Sequence, residues 1–165
     1  MDIKIRIALL QDIPKIIEVA DTVFKQHYAQ ILTAEQIDYM YEKTYTVDAL
    51  TEQMKSGTTF FLYFLDNVPL GFMAYYFKED NNIYLSKLYV NTTKQKSGIG
   101  NSLFAMLENI AIKNHCNYIE LNVHRKNPAM YFYKKLGFEL FETTDIPFGK
   151  FWLNDYVLRK SIKQL

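Results

Sequence analysis

Between residues 58 and 90 the chain carries three short runs, 58–65 (TTFFLYFL), 70–77 (LGFMAYYF) and 83–90 (IYLSKLYV), dense in aromatic and β-branched side chains. Only the turn signals Asp66-Asn67 and Asp80-Asn81-Asn82 separate them. Connections this short join antiparallel neighbours, because a parallel return needs a dozen residues or more. A three-stranded meander therefore stands in the middle of the sequence, and whatever flanks it has to pack on that sheet.

What precedes the meander has mixed periods. Ile3, Ile5 and Ile7 alternate with Lys4 and Arg6, which predicts a first strand over 3–8 with one buried face. Asp12 stands as an N-cap, Pro14 sits in a first turn, and Ile13, Ile16, Ile17, Ala20, Val23 and Phe24 recur at helical spacing, giving a helix that ends near Tyr28. Thr33 and Gln36 form a capping box for a helix through about Tyr41, and a further helical stretch over 46–54 stops at Gly57. After the meander come a glycine-bearing loop, a helix over 99–114, a strand over 118–123, a helix over 129–135, and strands over 138–143 and 151–159. This order predicts an α/β layout around one mixed sheet.

The 165 residues, 49% of them hydrophobic, suffice for one core, and no repeat or linker divides them, so a single domain over 1–165 is expected. A formal charge of +1 offers no basic excess for nucleic acid. No stretch approaches the ~18 to 20 apolar residues of a membrane helix, and the alternating start MDIKIRIALL is no signal core, so a cytoplasmic location and no membrane partner are expected. Cys116 alone makes no internal disulfide, and His27, His115 and His124 lack metal-site spacing; no metal is expected.

Two segments carry chemistry. Gln95-Lys96-Ser97-Gly98-Ile99-Gly100 follows a strand and opens a helix, where successive backbone N–H groups and the helix dipole suit a phosphate. It lacks the GK(S/T) ending of a P-loop, and the antiparallel meander before it argues against a dinucleotide βαβ unit. Later, Asn127, Ala129, Tyr133, Lys135, Gly137 and Phe138 again follow a strand. Together the two segments resemble the (Q/R)xxGxG loop and the NxxAxxxYxKxGF-type segment of the GCN5-related N-acetyltransferase (GNAT) superfamily, in that family's order, across essentially the whole chain. The resemblance implies the GNAT fold: a mixed, mostly antiparallel sheet of about seven strands, splayed into a V-shaped cofactor opening and flanked by four to five helices.

It also implies acetyl-CoA as cosubstrate and transfer of the acetyl group to a primary amine by direct attack in a ternary complex. Carried over residue by residue, the Leu88 N–H would face the acetyl oxygen, Tyr89 and Val90 would run beside the pantetheine arm, and Val90 would pair with it. Gln95, Lys96, Ser97, Gly98, Ile99, Gly100 and Asn101 would hold the pyrophosphate, Asn127 would lie near the thioester, and Lys135 would meet a CoA phosphate. Tyr133 matches the family tyrosine beside the sulfur; a phenol of pKa ~10 can protonate a leaving thiolate of ~8.5 as general acid. An alkyl ammonium of pKa ~10.4 must lose a proton before it attacks. Residues 84–87 hold no carboxylate, Glu79 and Asp80 lie back in the turn, and Glu120 reads equally as a surface charge, so a water-mediated path with no assigned base is expected.

For the acceptor, residues 11–56 hold eight acids against four lysines, which would steer a cation, though solvated helix faces carry the same composition. The segments 28–40 and 145–158 resemble the bacterial spermidine/spermine N-acetyltransferase branch of the Pai type, implying a small polyamine, with Phe24, Tyr28 and Tyr39 as candidate acceptor-binding residues. In this family the first two helices and the loop between the last two strands set acceptor choice. The alternatives are a peptide or protein amine as acceptor, or an acyl-CoA sensor without catalysis. The family resemblance allows for a homodimer.

Overall fold

The computed structural model describes residues 1–91 and 98–163. The elements are β1 (Ile3–Ile7), a 3-10 turn (Leu10–Asp12), α1 (Ile13–Tyr28), α2 (Ala34–Thr44), α3 (Val47–Lys55), β2 (Thr59–Leu65), β3 (Val68–Phe77), β4 (Ile83–Val90), α4 (Ile99–Lys113), β5 (Tyr118–His124), α5 (Ala129–Lys135), β6 (Glu139–Phe148) and β7 (Phe151–Ser161). The strands form a seven-stranded sheet in the order β1-β2-β3-β4-β5-β7-β6. The meander turns close as the sequence predicts: Asp66 and Asn67 both take the left-handed conformation, φ 49° and 66°, which a two-residue hairpin of the favoured twist requires.

The chain forms two compact units, Met1–Tyr76 with Lys87–Leu107 and Phe77–Ser86 with Glu108–Leu165, so that β4 and α4 each contribute to both. In the first unit, Phe60, Leu62 and Phe64 of β2 and Phe72 and Ala74 of β3 share a face packed by Ile16, Ala20 and Phe24 of α1, Ile37 of α2 and Leu50 of α3. The intervening β2 residues Phe61 and Tyr63 are buried as well, which is why the run reads as continuously apolar instead of alternating.

β1 departs from expectation. Ile3 and Ile7 are 52% and 53% exposed, so no buried face is made by the three isoleucines. The pairing Lys4↔Phe64 and Arg6↔Leu62 turns the charged residues toward the face covered by the helices. Arg6 lies 5.1 Å over the Phe64 ring and donates to both carboxylate oxygens of Asp12, at 2.7 and 2.9 Å. Asp12 is therefore not a side-chain cap of α1. Its buried carboxylate accepts from Arg6 and from the Leu9 N–H at 2.8 Å, and the Arg6 bond above all holds its pKa well below the usual carboxylate range. Thr33 and Thr46 do cap, accepting from the Gln36 and Ala49 N–H groups.

In the second unit, β5 pairs with β7 along its full length, and β7 pairs with β6 as a long hairpin from Glu139↔Arg159 to Phe148↔Phe151. The expected loop over 144–150 is thus reduced to Gly149 and Lys150, with Gly149 at φ 60°. Pro147 masks this extension in the sequence, but β6 is an edge strand, where a missing N–H is tolerated. β4 meets β5 in parallel through the pairs Ile83↔Ile119 and Tyr84↔Glu120. No described helix is long and apolar enough to cross a membrane.

Candidate active site

The end of β4 is fixed from below by β3. The Asn91 N–H donates to the Leu70 carbonyl over 2.7 Å, and Leu88, Tyr89 and Val90 are half-buried just before it. Next to Leu70 stands Gly71, where an added Cβ would lie 3.1 Å from Ile99 Cγ2 and 3.2 Å from the Tyr89 carbonyl oxygen. A side chain at this position would press on both, so the glycine eases the close approach of β3, the end of β4 and the start of α4. Gly71 belongs to neither sequence motif, and a glycine inside an apolar strand run is the signal for such an approach.

Gly98 precedes α4 at φ 85°, a conformation that side chains disfavour, with open space where its Cβ would point. The Ser102 N–H donates to the Gly98 carbonyl at 2.8 Å, closing the first helical turn. The N–H groups of Ile99, Gly100 and Asn101 then have no acceptor within the helix, and the dipole adds positive potential at the same end. This geometry suits a phosphate. Gln95, Lys96 and Ser97 lie outside the described residues.

On the second unit, Asn127 is buried and performs the capping that Pro128 cannot: its Oδ1 accepts from the Ala129 N–H at 2.9 Å, while its own N–H donates to the His124 carbonyl at 2.9 Å. The start of α5 is thereby bonded to the end of β5. Tyr133 is half-buried, with its ring edge-on to Phe132 (5.3 Å between centroids) and Phe138 (5.6 Å), contacts that set the direction of the phenol. The helix stops at Gly137, φ 101°, and the Phe138 N–H returns to the Tyr133 carbonyl at 3.0 Å. Lys135 is exposed.

Of the acceptor candidates, the structure brings Phe24 and Tyr28 together, 4.9 Å apart. Phe24 is buried among Tyr41, Tyr45 and Tyr89, and the Tyr28 and Tyr89 hydroxyls are 3.2 Å apart. Tyr39 is half-buried on α2, with Lys43 Nζ 5.5 Å over its ring. Part of the acidic surface is already matched: Asp38 pairs with Lys25 at 3.1 Å, and Asp21 accepts from the Tyr41 hydroxyl.

One face of β5 is polar throughout, with Tyr118, Glu120, Asn122 and His124 at alternate positions opposite the buried Ile119, Leu121 and Val123. Glu120 is engaged by two cations, Arg159 Nε at 2.8 Å and Lys78 Nζ at 3.3 Å, which makes it a structural carboxylate. Toward the other end, Tyr84 donates to Asn122 Oδ1 at 2.9 Å, and Asn122 Nδ2 donates to Asp155 Oδ2 at 3.3 Å. Burial pushes the Asp155 carboxyl up from its ordinary value, against the pull of Asn122, His124 and Arg125. Burial lowers His124, and its Nδ1 accepts from the Lys126 N–H at 3.1 Å. Asn122 and Asp155 belong to neither sequence motif; for Asn122 the signal is a polar residue at every second position of an apolar strand.

A phosphate-suited helix start after the fourth strand and a tyrosine on a short helix after the fifth, within this strand order, define an N-acetyltransferase fold. The model of the acetyltransferase (GNAT) domain family matches residues 28–149. A spermidine N(1)-acetyltransferase of Thermoplasma acidophilum is 30% identical over 149 residues, 87% of this chain and 92% of that protein. The crystal structure of the PaiA N-acetyltransferase of Thermoplasma acidophilum in complex with coenzyme A superposes with a TM-score of 0.81 at 29% identity, covering 98% of this chain and 99% of that one. A GCN5-related N-acetyltransferase of Rhodopseudomonas palustris shares the fold, with a TM-score of 0.82 at 20% identity over 98% of this chain and 96% of that one. The chain belongs to the GNAT family and is an acetyl-CoA-dependent N-acetyltransferase.

Proposed function

We propose that the acceptor is a primary amine of a small polyamine such as spermidine, and that Tyr133 is the general acid. The observation that carries the acceptor reading is the relative acting on spermidine, alike over 87% of this chain. Acetyl-CoA fits the residues present: the left-handed Gly98 opens onto the N–H groups of Ile99, Gly100 and Asn101, which would hold the pyrophosphate together with Gln95, Lys96 and Ser97. Leu88, Tyr89 and Val90 would bind the pantetheine arm through their main chain, and Asn127, its oxygen committed to the cap, would offer its amide nitrogen. Lys135 would meet a CoA phosphate from its exposed position.

When bound, acetyl-CoA supplies an acyl group activated as a thioester. Tyr133 Oη gives its proton to the departing thiolate as a positioned acid, a role that does not need a fully matched donor. Phe24, Tyr28 and Tyr39 would line the approach of the acceptor, whose cationic nitrogens suit aromatic faces. The test is thiol release from acetyl-CoA with spermidine, spermine, putrescine, lysine and a short peptide. Wild type is expected to turn over the polyamines fastest, and Tyr133→Phe to lower kcat ~10²-fold or more. Preference for the peptide would refute the acceptor reading, and a fully active Tyr133→Phe the acid.

A further inference from the structure

Asp155 is a buried carboxylate on β7, and its surroundings differ from those of the buried Asp12 and of Glu120 on β5. Asp12 has the Arg6 fork, and Glu120 has Arg159 and Lys78. Among the described residues, the Asp155 carboxylate takes one hydrogen bond, from the neutral Asn122 Nδ2. The groups around it are His124, its direct partner across the β5–β7 ladder; Arg125 and Lys126 beyond β5; and Thr144, its partner on β6, with Asp145 next to it. None of these cations closes an ion pair with it among the described residues: the Arg125 guanidinium turns away to Asp145 at 2.7 Å and the Thr144 carbonyl at 2.9 Å. His124 is a poor competitor for a proton, since its Nδ1 lone pair already takes the Lys126 N–H. Leaving a carboxylate buried beside neutral donors costs stability, and such a group recurs where a protein needs a base stronger than an ordinary carboxylate.

Its placement is relevant to the reaction. The β5 end opposite Asp155 is bonded directly to the helix that carries Tyr133, through the Asn127 N–H and the His124 carbonyl. We propose that Asp155, oriented by Asn122 and with Tyr84 steadying that carboxamide, accepts the proton of the acceptor's ammonium group through one bridging water. This rests on the reading that the chain acetylates a primary amine. The N–H bond of the ammonium breaks and an O–H bond forms on the carboxyl of Asp155, freeing the nitrogen lone pair to form the N–C bond as the C–S bond breaks. The nitrogen loses a second proton as the amide forms, which restores the Tyr133 phenol after its proton has gone to the thiolate. Asp155 returns the first to solvent, so the net reaction releases one proton per ammonium acetylated.

The test compares wild type with Asp155→Asn across pH, on whichever amine of the panel wild type turns over fastest, so that a wrong acceptor assignment leaves it standing. Expected is a loss of kcat of ~10²-fold or more at pH 7, disappearance of the acidic limb of the kcat/KM profile, and unchanged acetyl-CoA affinity. The deficit should shrink with weakly basic acceptors such as alkoxyamines, which reach the site already deprotonated. Unfolding of the variant should occur at the wild-type temperature or above it, because a buried charge has been removed. A second variant, Asn122→Ala, keeps the carboxylate but removes its hydrogen bond, and should move the acidic limb to higher pH. A wild-type pH profile in Asp155→Asn overturns the proposal. So does an equal loss on strongly and weakly basic amines, or, if Asp155→Asn does not fold, an unmoved limb in Asn122→Ala.

Discussion

At the scale of single residues, Lys87 shows how a charge inside the first unit is held at a cost. Burial pulls its ammonium down to about 8, and its Nζ donates to Gln53 Oε1 while lying 5.5 Å from the Phe60 ring. The folded chain releases this proton more readily than the unfolded chain, whose lysine titrates near ~10.4. Between those two values the unfolded state binds more protons, so this residue's contribution to stability rises with pH through that window and is least favourable below about 8. Lys87→Met, which keeps the length of the side chain and removes the charge, is expected to raise unfolding free energy by about 1 to 3 kcal/mol at pH 7. The gain should fade toward pH ~10, and urea unfolding at the two pH values measures it. In the sequence Lys87 is one more polar residue of a strand with a mixed pattern. Its burial follows from α3 delivering Gln53 to it, a contact across 34 positions.

At the scale of elements, the start of α4 depends on a residue in another strand. Gly71→Ala would set a methyl group against the Tyr89 carbonyl and Ile99, both of which belong to the segments that flank the loop proposed to hold the pyrophosphate. The neighbours would have to give by a few tenths of an ångström, and one of them is backbone. The expected result is a several-fold rise in KM for acetyl-CoA with kcat nearly kept, and Gly71→Val should be worse in the same direction; initial rates at varied acetyl-CoA separate the two constants. Element positions themselves were largely readable. The helix over 129–135 and the ends of α1 and α3 follow from caps, glycines and apolar spacing, which are local. The buried face of β1 and the full length of β6 differ from expectation, for reasons that are not local. The isoleucine alternation in β1 marks a face, but the helices pack on the other one, where Arg6 finds Asp12. The second half of β6 is a strand because β7 is there to pair with it, against the polar residues and Pro147 that it contains.

At the scale of the whole molecule, acetyl-CoA binds the folded chain and not the unfolded one, so it must raise the unfolding temperature by mass action. At a hundred times Kd the stabilisation is about 2.7 kcal/mol, which for a chain of this length corresponds to a rise of roughly 5 to 10 °C. Thermal melts with and without acetyl-CoA would show it, and Gly98→Val, which forces a β-branched residue into a left-handed conformation, should diminish the shift. The order of elements, the meander, the glycine motif and the tyrosine-bearing helix are legible in the sequence, because each is encoded in contiguous residues whose turn chemistry and spacing leave few alternatives. The tertiary structure decided which face of β1 is covered, that Glu120 is neutralised by Arg159 and Lys78, that Gly71 makes room for Ile99, and that Asp155 is left with a neutral partner. Those outcomes turn on which distant residues meet. Burial and charge pairing are properties of such meetings, and no local pattern carries them.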